Sequence, residues 1–249
     1  MAFQNILRSA RHPITRWVLL VICAFFGLQL FFLIKIALMA RIAPESTAFE
    51  RSQAWQILQT KQRLPWRQTW VPYSKISDQL KRAVIVSEDD IFAQHDGVQW
   101  EAIEKAWTKN AKAELQASRA AQKNPAVKVV GGSTITQQLA KNLFLAGERT
   151  FLRKGQEFVL TLMLEALLPK QRILELYLNH VEWGEGIFGA EAAAQHYFSK
   201  SAYQLSPWEA GRLAVMLPRP KHYQKFPSSE YLAGRTEIIL TRMPRAQLP

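Results

Sequence analysis

Residues 131–144 read GGSTITQQLAKNLF, and the helix start written into them organises everything around it. A Gly pair leads into Ser133 and Thr134. Thr134 and Gln137 have the spacing of a capping box, in which a hydroxyl and a side-chain amide three residues apart satisfy each other's backbone N–H groups. The helix that follows carries Thr134, Gln138 and Lys141 on one stripe, and Ile135, Leu139 and Leu143 on a neighbouring stripe able to face a core. Amides without helical partners, a hydroxyl and a Lys at such a start suit a pyrophosphate. A capped amphipathic helix with a polar outer face has the same pattern. A P-loop is excluded, because Lys and Ser/Thr do not follow the glycines in the required order.

Working outward, apolar residues recur at three and four positions through ISDQLKRAVIVSED (76–89), RKGQEFVLTLMLEALL (153–168), KQRILELYLNHV (170–181) and PWEAGRLAVML (207–217), which predicts helices. No run of alternating residues competes as a set of strands, so the fold is expected to be mainly α. Residues 108–128 differ, being rich in Ala, Lys and Gln with Leu115 as their one large apolar residue; they read as a solvated helix with a turn, or as a flap over a site.

Directly after the apolar run RAVIV comes SEDDIFAQHDG, residues 87–97, with three consecutive acids, a Phe, a His and a Gly. Such a cluster is commonly a solvated turn. Acids at a helix C-terminus nevertheless oppose the helix dipole, and a carboxylate set beside apolar residues has its pKa raised towards the range useful to a general base.

Arg149, Arg153 and Lys154 precede Glu157. An intrahelical Arg153–Glu157 pair one turn apart is the plain reading. The sharper one is a cationic cluster for phosphate with a second carboxylate held among the cations, giving two separated Glu residues as sugar chemistry often requires. RILELYLN (172–179) and the Gly-punctuated HVEWGEGIFGA (180–190) read as structural, and the small residues of AEAAAQHYFSK as a closely packed helix.

With 249 residues the chain has room for one ordinary domain plus appendages. Lys and Arg outnumber Asp and Glu by 32 to 20, a formal charge of +12 that attracts nucleic acid, phospholipid head groups or pyrophosphate without choosing among them. Its single cysteine, Cys23, excludes an intramolecular disulfide. Residues 17–34, WVLLVICAFFGLQLFFLI, continue through Lys35 into IALMA, which is longer than the apolar core of a signal peptide and long enough to span a bilayer. Arg8, Arg11 and Arg16 precede it with no acid, which places residues 1–16 in the cytoplasm and the bulk of the chain outside. The expected organisation is a cytoplasmic tail at 1–16, a transmembrane helix at 17–39, a juxtamembrane connector at 40–53 and a catalytic domain at 54–249.

In this order the segments resemble glycosyltransferase family 51, the peptidoglycan transglycosylases, and in particular their monofunctional form without a transpeptidase domain. E-D-x-x-F-x-x-H-x-G appears as Glu88, Asp89, Phe92, His95 and Gly97. G-G-S-T-[IL]-T-Q-Q-L-x-K-N runs unbroken from 131 to Asn142, R-K-x-x-E is Arg153, Lys154 and Glu157, and E-A-x-x-L-A is Glu209, Ala210, Leu213 and Ala214. Gly211 stands where the family usually has Ala, and Arg219 where Asn is common.

The resemblance implies a lysozyme-like glycosyltransferase domain against the outer leaflet of the cell inner membrane. It implies Glu88 as the base that deprotonates the 4-hydroxyl of lipid II, with attack on C1 of the nascent lipid-linked chain, inversion, and departure of undecaprenyl pyrophosphate. Glu157, with Lys141, Arg149, Arg153 and Lys154, would neutralise the pyrophosphate, directly or through a divalent cation (Mg or Mn). Asp89, Phe92, His95, Ser133, Thr134, Gln137, Gln138 and Asn142 would bind substrate. Cell-division or wall-synthesis proteins are the partners such an enzyme meets, and nucleic acid is not. The competing readings are a lytic transglycosylase or muramidase, and an inactive membrane-tethered scaffold; the cations between 141 and 154 speak against the first, the two intact Glu residues against the second.

Overall fold

The computed structural model describes residues 13–100, 133–145 and 150–249. The stretch 108–128, Gly131, Gly132 and Arg149 lie outside them. Two compact units are present, residues 1–43 and 44–249. In the first, helix α1 (Pro13–Met39) starts four residues before the expected span and ends with it. Pro fits that first helical position, where the missing N–H has no partner to lose. Its 27 residues extend roughly 40 Å, more than a bilayer's hydrocarbon core of about 30 Å. Among the described residues it is the one helix long and apolar enough to cross a membrane.

The second unit is mainly helical. Its first helix, α2 (Ala48–Lys61), begins inside the stretch 40–53 expected to be a connector. The reason is local: Thr47 accepts from Glu50 N–H at 3.0 Å while the Glu50 carboxylate accepts from Thr47 N–H at 2.7 Å, a complete capping box. Then follow β1 (Arg67–Gln68), α3 (Asp78–Glu88), α4 (Ile135–Phe144), α5 (Phe151–Leu167) and α6 (Lys170–His180). The chain continues through β2 (Glu182–Gly184), β3 (Ile187–Phe188), α7 (Ala190–Phe198), α8 (Pro207–Met216), α9 (Pro220–Lys225) and α10 (Glu230–Arg242). The five helices expected from periodicity are all present, with ends displaced by one or two residues. The strands are too short to leave a two-residue period in the sequence. They form one small sheet, β1-β3-β2, with β1 parallel and β2 antiparallel to β3.

Two helix layers share the core. α3 packs against α8 and α10, and α4 against α2, α5 and α6. The stripe expected from the α4 sequence faces inward: Ile135 is 0% exposed, Leu139 1% and Leu143 2%, each burial stabilising the fold by about 2 kcal/mol. Gly211 on α8 lies against α10, where an added Cβ would stand 3.3 Å from Thr236 Cγ2, so Gly permits the close crossing that an Ala would tighten. The turn from β2 to β3 needs Gly186, whose φ of +71° and closeness to the Pro65 carbonyl leave no room for a side chain.

Candidate active site

Glu88 is the last residue of α3, and its side chain is partly buried. The Gln138 amide on α4 donates to Glu88 Oε2 at 2.8 Å, and the Ser87 hydroxyl lies 3.5 Å from Oε1. Burial pushes the Glu88 pKa above its ordinary value, against the Gln138 and Ser87 hydrogen bonds, with Asp89 raising it and Lys141 lowering it. A carboxylate so placed at a helix C-terminus has the properties expected of a proton acceptor. Lys141, one turn after Gln138, is exposed on α4, and its positive charge acts on this carboxylate.

Its neighbour Asp89 has a different position. The Asp89 side chain is 0% exposed and accepts three donors: His95 Nε2–H at 2.8 Å, Gln99 Nε2 at 2.5 Å and the Ile135 backbone N–H at 3.0 Å. His95 Nδ1 in turn accepts from Gly97 N–H at 3.0 Å, which assigns the ring proton to Nε2. Asp89 thus ties the loop after α3 to the first turn of α4 and fixes Glu88 relative to Gln138. Thr134 completes the tie, donating to the Gly97 carbonyl at 2.6 Å while forming the expected capping box with Gln137. Thr134 is 2% exposed and Gln137 5%, so both side chains are taken up in building the helix start. Gly97 has φ +82°, and a Cβ there would lie 2.7 Å from Glu165 Cγ and 2.8 Å from Thr161 Cγ2 on α5.

Phe92 is fully buried beneath Lys170, whose Nζ stands 4.5 Å above the ring. Asn142 is 7% exposed, and Ser133 is exposed just ahead of the α4 cap. On α5, Glu157 is 3% exposed and paired with Arg153 at 3.1 Å and with Lys154, so the expected one-turn pair exists and has a second cation beside it. Desolvating a carboxylate in this way is tolerable because both of its oxygens meet positive charge. The structure therefore brings Glu88 at the end of α3 together with Gln138 and Lys141 on α4, and separately gathers Glu157, Arg153 and Lys154 on α5, which packs against α4.

Two groups escaped the sequence reading. Tyr177 on α6, 1% exposed, donates to Gln138 Oε1 at 3.0 Å. A Tyr within an otherwise apolar helix face was the available signal, since a buried hydroxyl needs a partner. Asn179 grips the Val71 peptide at both ends, accepting from its N–H at 2.9 Å and donating to its carbonyl at 3.0 Å, which bears out the structural reading of RILELYLN. Glu50, 0% exposed, accepts from His180 Nδ1 and from Gln68 Nε2, each at 2.8 Å, and joins α2 to α6.

A family profile described as Transglycosylase matches residues 55–244. The chain is 48% identical over 247 residues to a protein of Burkholderia thailandensis named biosynthetic peptidoglycan transglycosylase, covering 97% of this chain and 91% of the relative. Relatives of the same name in Herminiimonas arsenicoxydans and Janthinobacterium sp. (strain Marseille) are 49% and 50% identical, covering 94% and 89% of this chain and 96% and 91% of theirs. The family match spans every element from β1 to α10, including those that build the two carboxylate sites, and the chain belongs to the transglycosylase family of glycosyltransferases.

Proposed function

We propose that this protein is a membrane-anchored peptidoglycan glycosyltransferase that polymerises lipid II, with Glu88 as the general base. The observation that carries the reading is the state of Glu88: a partly buried carboxylate with a raised pKa, one oxygen held by Gln138 and the other hydrogen-bonded more weakly. Glu88 takes the proton of the acceptor 4-hydroxyl as that oxygen attacks C1 of the nascent lipid-linked chain. Inversion at C1 accompanies the in-line departure of undecaprenyl pyrophosphate. A pyrophosphate leaves as an anion, so cations serve it better than an acid does; Lys141, Arg153 and Lys154 are suited to that task, and Arg149 joins them on sequence grounds. Glu157 holds Arg153 and Lys154 in place for it. Gln138 orients the base, Asp89, His95, Thr134 and Gln137 fix the loop and helix that carry it, and Phe92 packs beneath them. Ser133, exposed just ahead of α4, contacts the substrate, whereas Asn142 is buried within the helix packing.

Among the described residues no group of three His, Cys, Asp or Glu side chains is placed to hold a metal, and the Glu157 oxygens already face two cations. Glu157 is thus a poor fit for Mg or Mn. The α1 helix anchors the enzyme in the inner membrane, with the second unit on the extracytoplasmic side where its substrate is displayed.

Purified full-length protein incubated with lipid II is expected to release undecaprenyl pyrophosphate and build glycan strands free of peptide cross-links. Cleavage of preformed glycan without any polymer would overturn the proposal in favour of a lytic enzyme.

A further inference from the structure

We infer that Tyr177 is a positioning residue for the base: by donating to the Gln138 amide oxygen, its hydroxyl holds the carboxamide in place, so that the amide NH2 occupies one oxygen of Glu88 and leaves the other to receive the proton. The inference rests on the reading of Glu88 as base. Three helices supply the chain of contacts. Tyr177 on α6 meets Gln138 Oε1 at 3.0 Å, and Gln138 Nε2 on α4 meets Glu88 Oε2 at 2.8 Å at the end of α3.

Donor and acceptor chemistry permits only one consistent arrangement when Glu88 is ionised. A carboxylate can only accept, so the Gln138 NH2 faces it and the amide oxygen faces Tyr177, which then must donate. Burial holds the Tyr177 hydroxyl well above its ordinary pKa of 10, so it keeps the proton it donates. Turning the amide over would set its oxygen against the Glu88 carboxylate and its NH2 against the phenol. Without the phenol, Gln138 Oε1 loses its donor, and the carboxylate alone is left to hold the amide in place.

The contact also survives the reaction. Once the proton of the acceptor hydroxyl has moved to Oε1, Oε2 still has a lone pair for Gln138, so the base gains a proton without rearranging its support. On the Oε1 side the Ser87 hydroxyl is 3.5 Å away and has the Ala214 carbonyl at 3.4 Å as a second acceptor, which leaves Oε1 the less engaged oxygen. Among the described residues, the charges acting on Glu88 are Asp89, adjacent in the chain, and Lys141 from α4. Losing the Gln138 hydrogen bond removes support for the charged form, so the pKa moves further up and less of the base is ionised at a given pH.

The test measures kcat/KM for lipid II polymerisation against pH in full-length wild type, Tyr177→Phe, Gln138→Leu and the double variant. Tyr177→Phe is expected to lower kcat/KM roughly 3- to 15-fold and to shift the acidic limb to higher pH. In the Gln138→Leu background it is expected to add little, because the link it acts through is already gone. A wild-type profile for Tyr177→Phe, or the same fold-loss in both backgrounds, would overturn the inference. Should Tyr177→Phe unfold at the assay temperature, its profile is taken at a lower temperature where it is folded: an upward shift of its acidic limb there supports the inference, and an unmoved limb refutes it. Glu88→Gln run in parallel separates the two readings, since polymerisation at the wild-type rate there removes the base itself, whereas an inactive Glu88→Gln beside an unaltered Tyr177→Phe removes only the relay.

Discussion

Replacing Asp89 by Asn changes a single atom and is expected to loosen the whole site. The carboxylate takes three buried donors, from His95, Gln99 and the Ile135 amide. An Asn offers one oxygen in their place. If that oxygen stays with His95 and Gln99, which share Oδ1, the Ile135 N–H is left facing an NH2 group, an orphaned buried donor worth about 1–3 kcal/mol. The two surviving bonds also lose charge assistance, about 1 kcal/mol each. The total of roughly 3–5 kcal/mol is a large share of the 5–15 kcal/mol that holds a typical domain together. For a chain of this size it corresponds to a fall in melting temperature of about 6–20 °C. Asp90 is the internal control: it is the next residue, its side chain is 57% exposed, and its one ion pair, with Arg242 at 3.0 Å, is a surface contact. Asp90→Asn is expected to change stability by less than about 1 kcal/mol. Thermal melts of both variants followed by circular dichroism make the comparison. An Asp89→Asn protein melting within 2 °C of wild type, on the order of the Asp90 change, would refute the reasoning.

Two further outcomes follow from neighbouring geometry. Gly97→Ala is expected to destabilise by about 2–4 kcal/mol, combining a left-handed φ of +82° with a Cβ 2.7 Å from Glu165 Cγ, and a melting curve matching wild type would contradict it. Glu182 on β2 is 7% exposed; burial lifts its pKa from 4.5 to about 7, with Lys221 Nζ 3.4 Å away opposing the shift. A raised carboxylate binds its proton more tightly when folded, so its contribution is fully present below pH 4.5 and is lost as pH rises through 7. Glu182→Gln is therefore expected to gain stability on wild type between pH 5 and pH 8, with a ceiling of about 3 kcal/mol, and a pH-independent difference in denaturant midpoint would exclude this.

What the sequence made legible was local. The Thr134–Gln137 capping box, the Arg153–Glu157 pair and the five periodic helices depend on residues three or four apart, and the structure contains them all. The Thr47–Glu50 capping box has the same kind of signature, but AFERSQAWQILQTK carries so weak an apolar stripe that residues 48–53, the start of α2, passed for the end of a connector. Asp89 and Asp90 look alike in sequence; only the fold, by bringing Ile135 and Gln99 to one of them, makes one a buried anchor and the other a surface acid. Long-range pairs were out of reach for the same reason. Nothing local to Tyr177 points to Gln138, 39 positions earlier, and nothing local to Glu50 points to His180, 130 positions later. The second carboxylate, Glu157, was visible through its cations, whereas its burial follows from the packing of α5 on α4.

The central claim is that Glu88 removes the proton from the attacking hydroxyl, and the most direct measurement is the initial rate of lipid II polymerisation by full-length Glu88→Gln protein. Gln keeps the size of the side chain and a carbonyl for the Gln138 amide, so the fold and its melting temperature should persist. The account predicts a rate lower by a factor of roughly 100 or more, the range for loss of a general base. Polymerisation by a folded Glu88→Gln protein within about threefold of wild type would contradict it.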